Sequence, residues 1–110
     1  MDGKALPATW LAERLAIEPA KIDVMRRDGE LIAFREPGST AWRYPTWQFE
    51  NGRPGSAIQR IVRAARESGI DEQRLYTILS APRGLNGHGR VYELLYDGRV
   101  DDVVELVRAG

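Results

Sequence analysis

A chain of 110 residues, 43% of them apolar, with no cysteine and a formal net charge of zero, accommodates one small domain or two units of roughly 50 residues, each too small to bury much surface alone. Disulfides and thiolate metal sites are excluded. No run reaches the ~18 apolar residues of a bilayer span, and the opening MDGKALPATW lacks the apolar stretch of a signal peptide, so a cytoplasmic protein without membrane contact is expected.

In chain order, residues 7–15 read as a first helix, with Thr9 as N-cap and Leu11, Leu15 and Trp10 turned inward. Residues 16–18 form a turn, and Pro19 suits the first position of a second helix, where its missing N–H costs nothing. At 100° per residue, Ile22 and Met25 share the inner face with Arg26 at its flank, while Ala20, Asp23, Val24 and Arg27 lie opposite. That outer face has the form of one that enters a major groove, where Val24 would meet a thymine methyl; an isolated surface valine is the plain alternative. Gly29 ends the helix as a left-handed residue. Leu31, Ala33 and Arg35 then alternate with Ile32 and Phe34 as a strand does. Glu36-Pro37-Gly38-Ser39 fits a type II turn, and Trp42-Arg43-Tyr44 supplies a returning strand closed by Pro45. Arg35 and Arg43 fall near the tip of this ribbon, placed for phosphate or a minor groove, or simply for solvent. Trp47 and Phe49 are expected to cover the core.

The order helix, turn, helix and then GELIAFREPGSTAWRYP resembles the compact winged helix-turn-helix of excisionases and MerR-type regulators, over about residues 6–50. Gly29-Glu30-Leu31 stands where the family opens its wing, Gly38 at the wing tip, and Trp42-Arg43-Tyr44-Pro45 at its aromatic-Arg-hydrophobic-Pro return. The resemblance implies double-stranded DNA as partner, contacted by Ala20, Lys21, Asp23, Val24, Arg26 and Arg27 on the second helix and by Arg35, Ser39, Thr40 and Arg43 on the wing. Family recognition helices are often basic, whereas Glu18, Asp23 and Asp28 accompany the basic residues here. Weak or partner-assisted binding is the implied consequence.

Residues 51–55, Asn-Gly-Arg-Pro-Gly, have linker composition, which divides the chain into a DNA-binding domain over 1–50, a linker over 51–55 and a helical protein-interaction domain over 56–110. Ser56 and Gln59 form a capping box for a helix with Ile58, Ile61, Val62 and Ala65 inside, ending at Gly69. Ile70, Asp71 and Leu75 fit a hydrophobic staple around an N-cap, opening a helix with Leu75, Ile78 and Leu79 inside and Pro82 beyond its end. The glycine-rich stretch 83–89 matches neither a P-loop nor a dinucleotide fingerprint. Two short helices follow, broken at Gly98, with Asp102 and Glu105 as a capping box and Asp101 as a competing cap. Leu94, Leu95, Val100, Val103, Val104 and Val107 would complete a small core.

Gly-Leu-Asn-Gly at 84–87, Leu94-Leu95 and Gly-Arg-Val-Asp-Asp-Val-Val at 98–104 resemble the C-terminal toxin-binding domain of MbcA/ParS/Xre-type antitoxins, over about residues 70–109. The resemblance implies a cognate toxin as partner, met by Leu85, Tyr92, Leu95, Tyr96, Val103 and Leu106. In that family the DNA-binding half is normally all-helical, so the ribbon here departs from the pattern.

The charge is unevenly spread: residues 21–66 hold nine Lys or Arg against five acids, and residues 67–110 five against eight. This fits a basic binding face beside an acidic partner face, or ordinary solvated charge. Enzymatic chemistry is not expected. His88 is the single histidine, between glycines, and Ser39 and Ser80 have no activating base in sequence. Asp97, Asp101 and Asp102 are accounted for at helix ends, so neither a metal site nor any cofactor is expected. The expected architecture is mainly α with a small two-stranded β-wing, a winged helix-turn-helix followed by a bundle of about four short helices. The expected function is that of a small, dimeric, DNA-binding transcriptional regulator, antitoxin-like and autoregulatory where a toxin exists. The alternative is a protein-interaction module with a degenerate winged helix.

Overall fold

The computed structural model describes residues 5–50, 53–82 and 89–110, with Glu50 described by its backbone alone. Strand β1 (Ala5–Pro7) leads directly into helix α1 (Ala8–Leu15), and α2 (Pro19–Arg27) follows after a three-residue turn. β2 (Phe34–Arg35) and β3 (Trp42–Pro45) form the ribbon, and a 3₁₀ turn (Thr46–Gln48) leads to the short pair β4 (Phe49–Glu50) and β5 (Arg53–Pro54). Helices α3 (Ser56–Glu67) and α4 (Glu72–Ser80), a second 3₁₀ turn (Val91–Leu95) and helix α5 (Val100–Ala109) complete the chain. The protein is thus mainly helical with a small antiparallel sheet.

That sheet has three strands in the order β1-β3-β2, not the expected two. Leu6 pairs with Tyr44 and Pro7 with Arg43, a partnership made across almost forty residues and invisible to local pattern. Pro7 is tolerated because β1 is an edge strand. The expected linker is partly structured too: Phe49 pairs with Pro54 and Glu50 with Arg53.

Helix ends follow local chemistry. Pro19 opens α2. Gly29, at φ +83°, closes it, its N–H donating to the Arg26 carbonyl while the Glu30 N–H reaches back to Met25. α3 ends in the same way at Gly69, with the Ile70 N–H donating to Ala65. α1 uses this motif without a glycine: Ala16 sits at φ +58°, and the Ile17 N–H donates to Ala12 at 3.0 Å. Asp71 caps α4 by accepting from the Arg74 N–H at 2.8 Å.

Three other expected caps do not form. Thr9 lies inside α1, Ser56 is the first residue of α3, and Asp101 and Asp102 lie in the first turn of α5. In each case the side chain that was to cap the helix lies inside its first turn, and the residue before the helix takes the cap position. The expected helix before Gly98 is only a 3₁₀ turn, since a five-residue run between Gly89 and Gly98, both at positive φ, is short for an α-helix.

Two cores share the interior. One gathers Leu11, Ala12, Ile22, Leu31, Ala33 and Tyr44. The other is built from α3, α4, the second 3₁₀ turn and α5, and also takes in Ile32 and Trp47. The run Leu31-Ile32-Ala33-Phe34 is therefore buried on both sides, with Leu31 and Ala33 in one core and Ile32 in the other. Its alternation records a segment between two cores, and only its last residue belongs to a strand. Having no ladder partner, Ile32 is held by a side chain instead. Its N–H donates to Gln48 Oε1 at 2.7 Å, and Gln48 Nε2 donates to the carbonyls of Ile32 and Pro45 at 2.8 and 3.0 Å. Trp42 packs on the first core and Trp47 lies in the second, whereas Trp10, expected inside, is 65% exposed. Among the described residues no helix is long and apolar enough to cross a membrane.

Candidate nucleic-acid interface

On α2 the single buried side chain is Ile22, so the helix sits on the first core by a narrow stripe and leaves a broad outer face. Ala20, Lys21 and Arg27 are exposed, Asp23 is half-buried and Val24 is 39% exposed. The angular count thus placed Ala20, Asp23, Val24 and Arg27 correctly on one open side.

Arg26, expected among the DNA contacts, faces inward instead. Its side chain is only 12% exposed. Nη2 donates to Asp23 Oδ1 at 2.6 Å, Nη1 reaches the Glu72 carboxylate at 3.2 Å, and the guanidinium lies 4.2 Å from the Trp42 ring centre. Burial disfavours its charge, but the hydrogen bonds and charges of Asp23 and Glu72 outweigh this and raise its pKa. The hydrogen bond from Arg26, reinforced by the charges of both arginines, holds the Asp23 carboxyl below its usual value against a partial burial penalty. Next to them, burial raises the Tyr44 hydroxyl. Arg26 is thus the tie between α2, the ribbon and the start of α4, and has no donor fork to offer a phosphate.

The ribbon stands beside α2 through the same tryptophan. Arg35 pairs with Trp42 and Phe34 with Arg43, so the two arginines occupy opposite faces of the ribbon. The Arg35 guanidinium stacks over Trp42 at 4.4 Å, on the side of α2. Arg43 lies 3.8 Å from Glu36, both groups being well exposed, a pairing weak enough for a phosphate to replace. At the tip, Gly38 at φ +80° and the Ser39 N–H donating to Glu36 at 3.0 Å form the expected turn. Ser39 Oγ accepts from the Ala41 N–H at 3.1 Å, and Thr40 is exposed.

What sequence reasoning missed is the support that α4 and α3 give this surface. Glu72 holds Arg26, Gln73 Oε1 accepts from the Arg35 N–H at 2.9 Å, and Tyr76 stacks on Phe34 with ring centres 3.8 Å apart. Residues 72, 73 and 76 share one face of α4, beside the stripe of the buried Leu75 and Leu79; the spacing is legible in the sequence, though the partner is not. From α3, Arg66 Nη2 donates to the carbonyl of Arg27 at 2.8 Å and lies 3.4 Å from that of Arg26, capping the last turn of α2 where a cation is favoured.

The expected partner-binding residues divide. Tyr92, 3% exposed, stacks on Trp47 at 4.5 Å, and Val103 is fully buried, so both are core residues and present no surface. Their partner role comes from the antitoxin resemblance alone; the core position that the apolar pattern gives Val103 is the one observed. Leu95 packs partly against that core. Tyr96 and Leu106 are 63% and 45% exposed, and Leu85 lies outside the described residues.

No family model and no curated protein sequence matches the chain. In structure it is similar to Rv2175c, whose NMR structure matches with a TM-score of 0.81, at 20% sequence identity, over 98% of this chain and 81% of that one. At that identity the likeness is one of fold.

Proposed function

We propose that the chain is a small DNA-binding regulator of the winged helix-turn-helix kind, with α2 as recognition helix and the β2–β3 ribbon as wing. The observation that carries the reading is the open face of α2, with Val24 and Arg27 exposed on it, held beside an arginine-bearing ribbon by Arg26 and Trp42. A solvent-facing helix locked to a hairpin by its inner residues matches the geometry in which a helix enters a major groove and a ribbon follows the adjacent backbone. The C-terminal half serves as the protein-binding unit, through the exposed Tyr96 and Leu106, for a second copy of the chain or a cognate toxin. A cytoplasmic homodimer is the working form.

Because Arg26 is withdrawn, the cations of each copy available to displace counterions from DNA reduce to Lys21, Arg27, Arg35 and Arg43. Fluorescence anisotropy with random duplex DNA therefore gives log K against log salt a slope of about −2 to −4 per copy bound. No binding at ~50 mM salt with tens of micromolar protein contradicts the proposal. That result would favour the second reading, a protein-interaction module, which one observation supports: the exposed charge left on α2 is nearly balanced, since Arg27 is paired with Asp23 at 2.8 Å.

A further inference from the structure

Asp23 is the feature of this face that a DNA reader does not obviously need, because a carboxylate next to phosphates repels. The structure shows how both its oxygens are used. Oδ1 accepts from Arg26 Nη2 at 2.6 Å, and Oδ2 pairs with Arg27 Nη2 at 2.8 Å. The first arginine is anchored from within by Glu72 and Trp42, whereas the second is 64% exposed. Glu72, Arg26, Asp23 and Arg27 therefore form an alternating chain that starts at α4 and ends at a guanidinium in solvent. The backbone beneath that end is fixed as well, by Arg66 on the Arg27 carbonyl.

Resting on the DNA-binding reading, we propose that Asp23 is a positioning residue that presents Arg27 to a guanine in the major groove, with Val24 reading the methyl of a neighbouring thymine. An arginine uses two N–H groups for guanine O6 and N7, and with one spent on Asp23 the five donors of its fork still suffice. A side chain already held by a partner loses less rotamer freedom on binding than a free one. Neutralised by two arginines, Asp23 exerts little repulsion on the backbone. Val24, the other distinctive group on this face, precedes Arg27 by three residues, a rise of about 4.5 Å along the helix, close to the ~3.4 Å between successive bases of a strand. The two side chains thus fit adjacent base pairs.

The test is selection of sites from a random duplex pool by the full chain, followed by titration of the selected site and its single-base variants. The expected result is a guanine with a neighbouring thymine, and at least a fivefold loss of affinity when that guanine is replaced. Arg27→Lys, which keeps the charge and leaves the Asp23–Arg26 pair intact, should retain the salt slope and lose the guanine preference. Asp23→Asn should also retain the salt slope but discriminate less at that same position, with an unchanged circular dichroism spectrum. A guanine preference that survives Arg27→Lys overturns the reader assignment, and full discrimination by Asp23→Asn overturns the positioning role. Binding with no base preference overturns the inference while leaving DNA binding intact; absence of binding overturns both.

Discussion

Replacing Gln48 by methionine removes a polar clasp with little change of shape, and its cost follows from the hydrogen bonds. Gln48 is 2% exposed and makes three neutral bonds of 2.7, 2.8 and 3.0 Å to the backbone of Ile32 and Pro45. Each bond contributes about 1 kcal/mol net, and a buried group left unpaired costs about 1–3 kcal/mol. The Ile32 N–H loses the partner described for it, and two carbonyls lose theirs, so about 3–5 kcal/mol is expected in total. For a domain stabilised by about 5–15 kcal/mol this is a large fraction. With a urea dependence of about 1.5 kcal/mol per molar, the midpoint of unfolding should fall by about 2–3 M. Urea titration followed by tryptophan fluorescence reads this directly, as Trp47 lies next to the substituted residue. A midpoint shift below about 0.5 M would refute the view that segment 31–33 depends on this side chain.

Ala16→Gly relieves an alanine held at φ +58° and should raise stability by about 1 kcal/mol, visible as a higher melting temperature. Tyr76→Ala removes the stack on Phe34 and should cost about 1–2 kcal/mol, with DNA affinity falling as the ribbon loosens; denaturation and anisotropy measure the two effects. Because Arg26 lowers the pKa of Asp23 in the folded protein, this carboxylate contributes stability above its unfolded pKa and loses it as the pH falls through the lowered value. Asp23→Asn should therefore flatten the acid limb of the stability profile below about pH 4, as followed by urea titrations at successive pH values.

The parts of the fold legible in the sequence are those determined by local chemistry. Pro19 opened a helix, Gly29 and Gly69 closed two, Pro37-Gly38 made a turn, and Asp71 capped α4, because each needs only its neighbours to act. Interior faces were also legible where the period is helical, as at Ile58, Ile61, Val62 and Ala65. What escaped depended on distant partners. Ala5–Pro7 becomes a strand only because β3 lies beside it, and Leu31–Ala33 alternates because it lies between two cores. For the candidate site, the outer face of α2 and the place of Arg26 at the flank of the inner face follow from angles alone, whereas the DNA contact that the family resemblance implies for Arg26 is overturned by its inward pairing. A position at the flank of a helix can go either way, and Glu72, 46 residues on, drew it inward. Tyr92 shows the converse, a residue that the antitoxin resemblance offers to a partner but that its own chain already buries; Val103, offered in the same way, lies in the core where its apolar pattern puts it.

The proposed binding of DNA through α2 and the ribbon is tested most directly by comparing two double charge reversals of equal net charge. One changes Arg27 and Arg43 to glutamate, sparing Arg35 because of its stack on Trp42. The other changes Arg99 and Arg108, which in the C-terminal half pair with Asp102 and Glu67. Anisotropy at low salt should show binding lost in the first and nearly unchanged in the second. Equal losses in both would mean attraction by overall charge without a defined face, and retention of full affinity by the first would contradict the interface described.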